Sequence, residues 1–126
     1  MAKRKLSPPA QELVVNQGDD FYFQLRIKDS KGQPINITDY LYTLKVRQDA
    51  ESNEVVIEAV ATVLDPENGL VDFHFTNEAT SNIDTDGLTY QDLGEYWYDV
   101  IQTDLEGRKT RVLQGAFIVS PGISYH

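Results

Sequence analysis

The segment Asp20–Asp29 alternates strictly between large apolar and polar side chains. Phe21, Phe23, Leu25 and Ile27 fall on one side, and Tyr22, Gln24, Arg26 and Lys28 on the other. A period of two with one apolar face predicts a half-buried β-strand whose aromatic row is a wall of the core. The same period returns in LYTLKVRQ, with Tyr42, Leu44 and Val46 aligned, and in LVDFHF, with Val71, Phe73 and Phe75 aligned. In GEYWYDVIQTD, Tyr96, Tyr98 and Val100 share a face, while Trp97, Asp99 and Ile101 point the other way. ELVV reads as a short first strand and TRVLQGAFIV as the last. EVVIEAVATVL is rich in β-branched residues but its alternation is blurred, which predicts one strand buried on both faces or carrying a bulge.

Turn residues punctuate these runs. DSKGQP carries Gly32 and Pro34, and DPENG predicts a tight turn closing a hairpin onto LVDFHF. TNEATSNI predicts a single helical turn with Thr76 as its N-cap. Ile35 and Ile37 are expected to tuck under a sheet edge, with Thr38 or Asp39 ordering entry to the next strand. About seven strands follow, with turn signals every ~8–12 residues and no long helix, the spacing of an antiparallel β-sandwich. Residues 1–10 form a basic arm ending in Pro8 and Pro9, residues 11–122 the sandwich, and residues 123–126 a tail.

At 126 residues the chain suits one domain, large enough to bury a core without staples. It has no cysteine, which removes disulfides, thiolate nucleophiles and cysteine-based zinc sites together. No run approaches the ~18–20 apolar residues of a membrane helix, and no apolar stretch follows the basic start as in a secretory signal. The net charge is −9. Of the 11 Lys and Arg, three (Lys3, Arg4 and Lys5) sit in the arm, which leaves 8 against 20 Asp and Glu, a balance of −12 on the body. Such a body repels nucleic acid and anionic membrane and suits a basic protein partner. Three cations are too few for specific nucleic-acid binding, so the arm reads as a clip onto an acidic neighbour.

Catalytic chemistry has little to work with. The two histidines are His74 and His126, and His74 lies on the strand face opposite Val71, Phe73 and Phe75 with no nucleophile nearby in sequence. No serine occupies a Gly-x-Ser-x-Gly elbow. The twenty acids read as solvated surface. Asn82, Asp84 and Asp86 stand at alternate positions before Gly87, as in a calcium loop, but the twelfth position holds Leu93 where that loop has a bidentate Glu. They are a weak calcium candidate, and no cofactor is expected. Asn36–Thr38 matches the three-residue glycosylation pattern, discounted in the absence of a signal peptide. Trp97 is the best binding candidate by composition: buried it packs beneath a loop or the arm, exposed it anchors a protein partner or stacks on a sugar.

The order of phrases carries a resemblance. A Gln-Gly-Asp precedes the aromatic strand, KDSKGQPINITDY makes a charged turn and an Ile-x-Ile-Thr-Asp-Tyr entry, and NGLVDFHF, TNEATSNI, LGEYWYDV and LQGAFIVSPGIS follow. The chain resembles, over Leu13–Ile123, the immunoglobulin-like domain of bacteriophage structural proteins, similar to the N-terminal domain of baseplate upper proteins and to related tail and head accessory domains. The resemblance implies an immunoglobulin-like sandwich with no enzymatic residues. It also implies a place in the virion, assembled in the bacterial cytoplasm among other virion proteins. Because the sequence ends just after the domain, with no coiled coil or receptor-binding part, the expectation is a mount or decoration unit in a homo- or hetero-oligomeric assembly. Lys3, Arg4, Lys5, Pro8, Pro9 and Trp97 are its expected contact residues. The alternative is a host-surface or glycan-binding module, calcium-dependent if Asn82, Asp84 and Asp86 hold the ion, and a cytosolic interaction domain of other kind stands behind both.

Overall fold

A computed structural model describes residues 11–49, 51, 53–83 and 94–120. Among them eight strands form two sheets. The strands are β1 (Leu13–Asn16), β2 (Phe21–Arg26), β3 (Leu41–Arg47), β4 (Val55–Glu58), β5 (Val60–Asp65), β6 (Leu70–Phe75), β7 (Gly94–Thr103) and β8 (Lys109–Ser120). One sheet runs β1-β8-β7-β3-β4 and the other β2-β6-β5. This two-sheet order, with one further strand on each side of the central three of the larger sheet, is that of an immunoglobulin-like sandwich.

The alternating patterns place the core as expected. Tyr42, Leu44 and Val46 on β3, Val71, Phe73 and Phe75 on β6, and Tyr96, Tyr98 and Val100 on β7 are all buried. Phe75 meets Phe117 of β8 across the sandwich at 5.2 Å between ring centres. The aromatic row on β2 also faces inward, but Phe21, Phe23 and Leu25 are only partly buried. The reason is position: β2 is an edge strand of the smaller sheet, whereas β6 lies at its centre. With no cysteine in the chain, no disulfide joins the two sheets.

Two features differ from the sequence-based expectation. EVVIEAVATVL is not one strand. The chain leaves the larger sheet after Glu58 and enters the smaller at Val60, with buried Ala59 between them and its N–H on the Leu44 carbonyl at 3.0 Å. The blurred alternation is this change of sheet, and it raises the count from about seven strands to eight. The sandwich is also not wholly antiparallel, because β1 runs parallel to β8, Leu13 opposite Phe117. Strands so distant in sequence need no hairpin, which frees them to pair in either direction.

The short elements follow their predicted chemistry. Pro66–Asn68 is a 3-10 turn joining β5 to β6. Helix α1 (Asn77–Ser81) starts at Thr76, whose side chain accepts the Ala79 N–H. Ile37 is fully buried and Ile35 partly so. Asn36 Oδ1 accepts from both the N–H and the hydroxyl of Thr38, at 3.0 and 2.6 Å, so the glycosylation-like triplet is a side-chain-closed turn.

Candidate docking face

The outer face of the larger sheet is built from the positions that alternate with its core. On β7 these include Glu95, Trp97 and Asp99. In register, Trp97 lies opposite Arg47 on β3 and Ala116 on β8. The small Ala116 side chain leaves room for the indole, which is half-buried on the open face and not sealed in the core. Exposed Val14 on β1 and Val55 on β4 extend the face to either side.

Next to Trp97 stands Asp99, a carboxylate only 5% exposed. Arg47 Nη1 donates to Asp99 Oδ1 at 3.0 Å, and Arg111 Nε lies 3.3 Å from Oδ2. Taking a carboxylate out of water is costly, and two guanidinium groups, one on each oxygen, offset that cost.

Arg111 reaches Asp99 because of a bulge. Val100 pairs with Leu113, but Ile101 pairs with Arg111, so Val112 is an extra residue in β8. Leu113 points into the core, and uninterrupted alternation would send Arg111 inward after it. One inserted residue reverses the parity and turns Arg111 to the outer face. The sequence reading missed Arg47, Asp99 and Arg111 as a group. The only available sign was Asp99 in an apolar strand, since its partners lie 52 and 12 residues away in the chain. The expectation that acids are solvated surface is corrected at Asp99 for the same reason.

On the smaller sheet, the Tyr22 and His74 rings stack at 4.2 Å and 7°. His74 Nε2 lies 3.1 Å from Asp20 Oδ1, which also accepts the Asn77 N–H. The cluster fastens β2 to the start of α1. Thr80 adds a second fastening: its hydroxyl accepts the Gly18 N–H and donates to the Asp19 carbonyl.

Of the calcium candidates, Asn82 is an exposed residue capping the end of α1, its backbone N–H on the Ala79 and Thr80 carbonyls. Asp84 and Asp86 lie outside the described residues. Among the described residues no group of three or more His, Cys, Asp or Glu is placed to hold a metal, and no helix is long and apolar enough to cross a membrane. Lys3, Arg4, Lys5, Pro8 and Pro9 also lie outside the described residues. Their point of attachment is described: Gln11 lines a cleft of about 470 Å³ together with Leu25, Ile27, Val112 and Leu113.

No protein-family model matches the chain, and no curated protein matches its sequence. Solved structures align with most of its length. The NK cell receptor NKp44 aligns over 89% of this chain and 97% of its own, at 12% identity and a TM-score of 0.42. A chain from the complex of ICOS with ICOS-L and an anti-ICOS-L VNAR domain aligns over 91% of this chain and 56% of its own, at 14% identity and 0.41. Murine CRIg aligns over 87% and 91%, at 11% identity and 0.40. At these identities and TM-scores the likenesses say nothing of what the chain binds, and none bears on the bacteriophage resemblance. The immunoglobulin-like assignment rests on the strand order itself.

Proposed function

We propose that the chain is a non-enzymatic docking module of a bacteriophage particle, an accessory subunit of capsid, neck, tail or baseplate assembled in the host cytoplasm. Its partners are other virion structural proteins. The observation that carries the docking reading is the outer face of the larger sheet, where half-buried Trp97 stands beside the Arg47–Asp99–Arg111 cluster. Aromatic and arginine side chains at the centre of a sheet face have the composition of interface hot spots. The phage setting is supported by the resemblance over Leu13–Ile123. The arm with Lys3, Arg4, Lys5, Pro8 and Pro9 is a second contact in this reading, leaving the body beside the cleft at Gln11.

The test is co-sedimentation of the purified chain with phage particles, alongside the Trp97→Ala variant and a form lacking residues 1–9. Saturable, stoichiometric binding that both changes weaken, with unfolding midpoints retained, is the expected result. A chain that sediments alone and ignores particles overturns the virion assignment. Binding indifferent to Trp97 overturns the choice of face.

A further inference from the structure

Asp99 is held by one more cation than charge balance requires. A single guanidinium neutralises a carboxylate, yet Arg47 takes one oxygen and Arg111 the other. The cluster therefore carries a charge of +1. Each guanidinium has five N–H donors, and Asp99 engages one from Arg47 and lies closest to Nε of Arg111. Arg47 is 22% exposed and Arg111 50% exposed, so donors remain open to the outer face. Lys45 sits between Asp99 and Glu58 in register, and Glu95 lies beyond Trp97, so the excess positive charge is centred on the two arginines.

We propose that Arg47 and Arg111, splinted by Asp99, form a seat for a carboxylate side chain of an acidic protein segment, with an adjacent apolar residue of that segment against Trp97. This inference rests on the docking reading above and specifies the partner's chemistry. A guanidinium fork matches a carboxylate with two parallel hydrogen bonds, a geometry that a lysine ammonium does not offer. Anchoring by Asp99 removes much of the rotamer freedom that a free arginine loses on binding, so less binding energy is spent on ordering. The β8 bulge at Val112, which turns Arg111 outward, is the structural feature that creates the second half of the seat. The net charge of −9 opposes approach of an acidic partner at long range. That repulsion is screened beyond ~8 Å at physiological ionic strength, leaving contact donors to decide. Two copies of this chain would each bring the full −9, so a short acidic segment of a different protein is the favoured occupant.

Trp97 is the single tryptophan of the chain and reports on the site directly. The probe is a capped pentapeptide with a central glutamate between leucines, compared with the same peptide carrying glutamine. Trp97 emission and the arginine side-chain N–H signals in NMR are followed during titration. The glutamate peptide is expected to bind saturably with a Kd of about 1 mM or tighter, and the glutamine peptide at least tenfold more weakly. Arg111→Met is expected to abolish that preference with the unfolding midpoint retained. Equal binding of both peptides, no saturable response to either, or an unchanged preference in Arg111→Met overturns the seat. Displacement of the glutamate peptide by inorganic phosphate or sialyllactose at equal concentration overturns its restriction to protein carboxylates. Self-association of the free chain that Arg111→Met dissolves overturns the choice of a different protein as partner. Failure of the peptide test while particle binding still depends on Trp97 removes the seat alone, whereas loss of that dependence removes the docking reading as well.

Discussion

The Tyr98 hydroxyl donates a 2.6 Å hydrogen bond to the backbone carbonyl of Gln11, 87 residues earlier in the chain. It joins the centre of the core to the root of the N-terminal arm. Gln11 is also held by its own N–H on the Gln114 carbonyl at 2.9 Å. Tyr98→Phe keeps the ring packing and leaves the Gln11 carbonyl short of a donor. A loss of about 1–2 kcal/mol is expected in denaturant unfolding, with faster amide exchange along β1. Unchanged exchange at Leu13–Asn16 would show that the bond does not secure the strand.

The same phenol predicts an alkaline limit. Burial pushes the Tyr98 pKa up to about 12 from the ordinary phenol value of 10.0, and burial also raises that of Tyr42. The folded state keeps these protons where the unfolded chain releases them. The stability they contribute is therefore complete below pH 10 and lost as pH rises from 10 towards 12. Ultraviolet titration of the native chain should show fewer than the seven tyrosinates at pH 11, the remainder appearing on unfolding. All seven titrating together near pH 10 in a folded chain contradicts the burial argument.

Gly115 sets how closely β1 approaches β8. A Cβ built there would overlap the Gln11 carbonyl oxygen, a backbone atom that cannot rotate away. Gly115→Ala is expected to displace the start of β1 and cost about 2–3 kcal/mol, as overpacking does. Gly32 has open space around it, and its φ of +81° leaves only the left-handed backbone penalty. Gly32→Ala should cost about 1–2 kcal/mol. Thermal unfolding of the two variants side by side checks the order, and a larger loss at Gly32 reverses the argument.

Core depth differs between β2 and β6. Phe73 is fully buried on the central strand, so Phe73→Ala should cost about 3–5 kcal/mol. Phe23, its partner across the strands with ring centres 6.2 Å apart, is only partly buried, and its loss should be distinctly smaller. Equal losses would mean that the edge of β2 is covered in solution.

Asp99→Asn removes the charge that gathers Arg47 and Arg111. A cost of about 1–3 kcal/mol is expected, in the range of hydrogen bonds to charged groups. Arg111→Met should cost no more than about 1 kcal/mol, because its half-exposed side chain is screened by solvent. A double-mutant cycle of the two measures their coupling directly, and no coupling would mean that the 3.3 Å contact contributes nothing in solution.

Much of the architecture was legible because alternation at period two is local. Tyr42, Leu44, Val46, Val71, Phe73, Phe75, Tyr96, Tyr98 and Val100 declare their inward face by spacing alone, and each is buried. Thr76 as N-cap was legible for the same reason, since the cap and the N–H it accepts are three residues apart. Trp97 could be assigned by parity to the face opposite Tyr96 and Tyr98. What spacing does not encode is the partner across the sheet. The change of sheet at Ala59, the parallel pairing of β1 with β8 and the edge position of β2 all depend on which strands meet. The docking face depends on it most. Alternation counted back from Leu113 points Arg111 into the core, and pairing with β7 inserts Val112 and turns it out. There it meets Asp99 and Arg47, bringing together three charges that lie far apart along the chain.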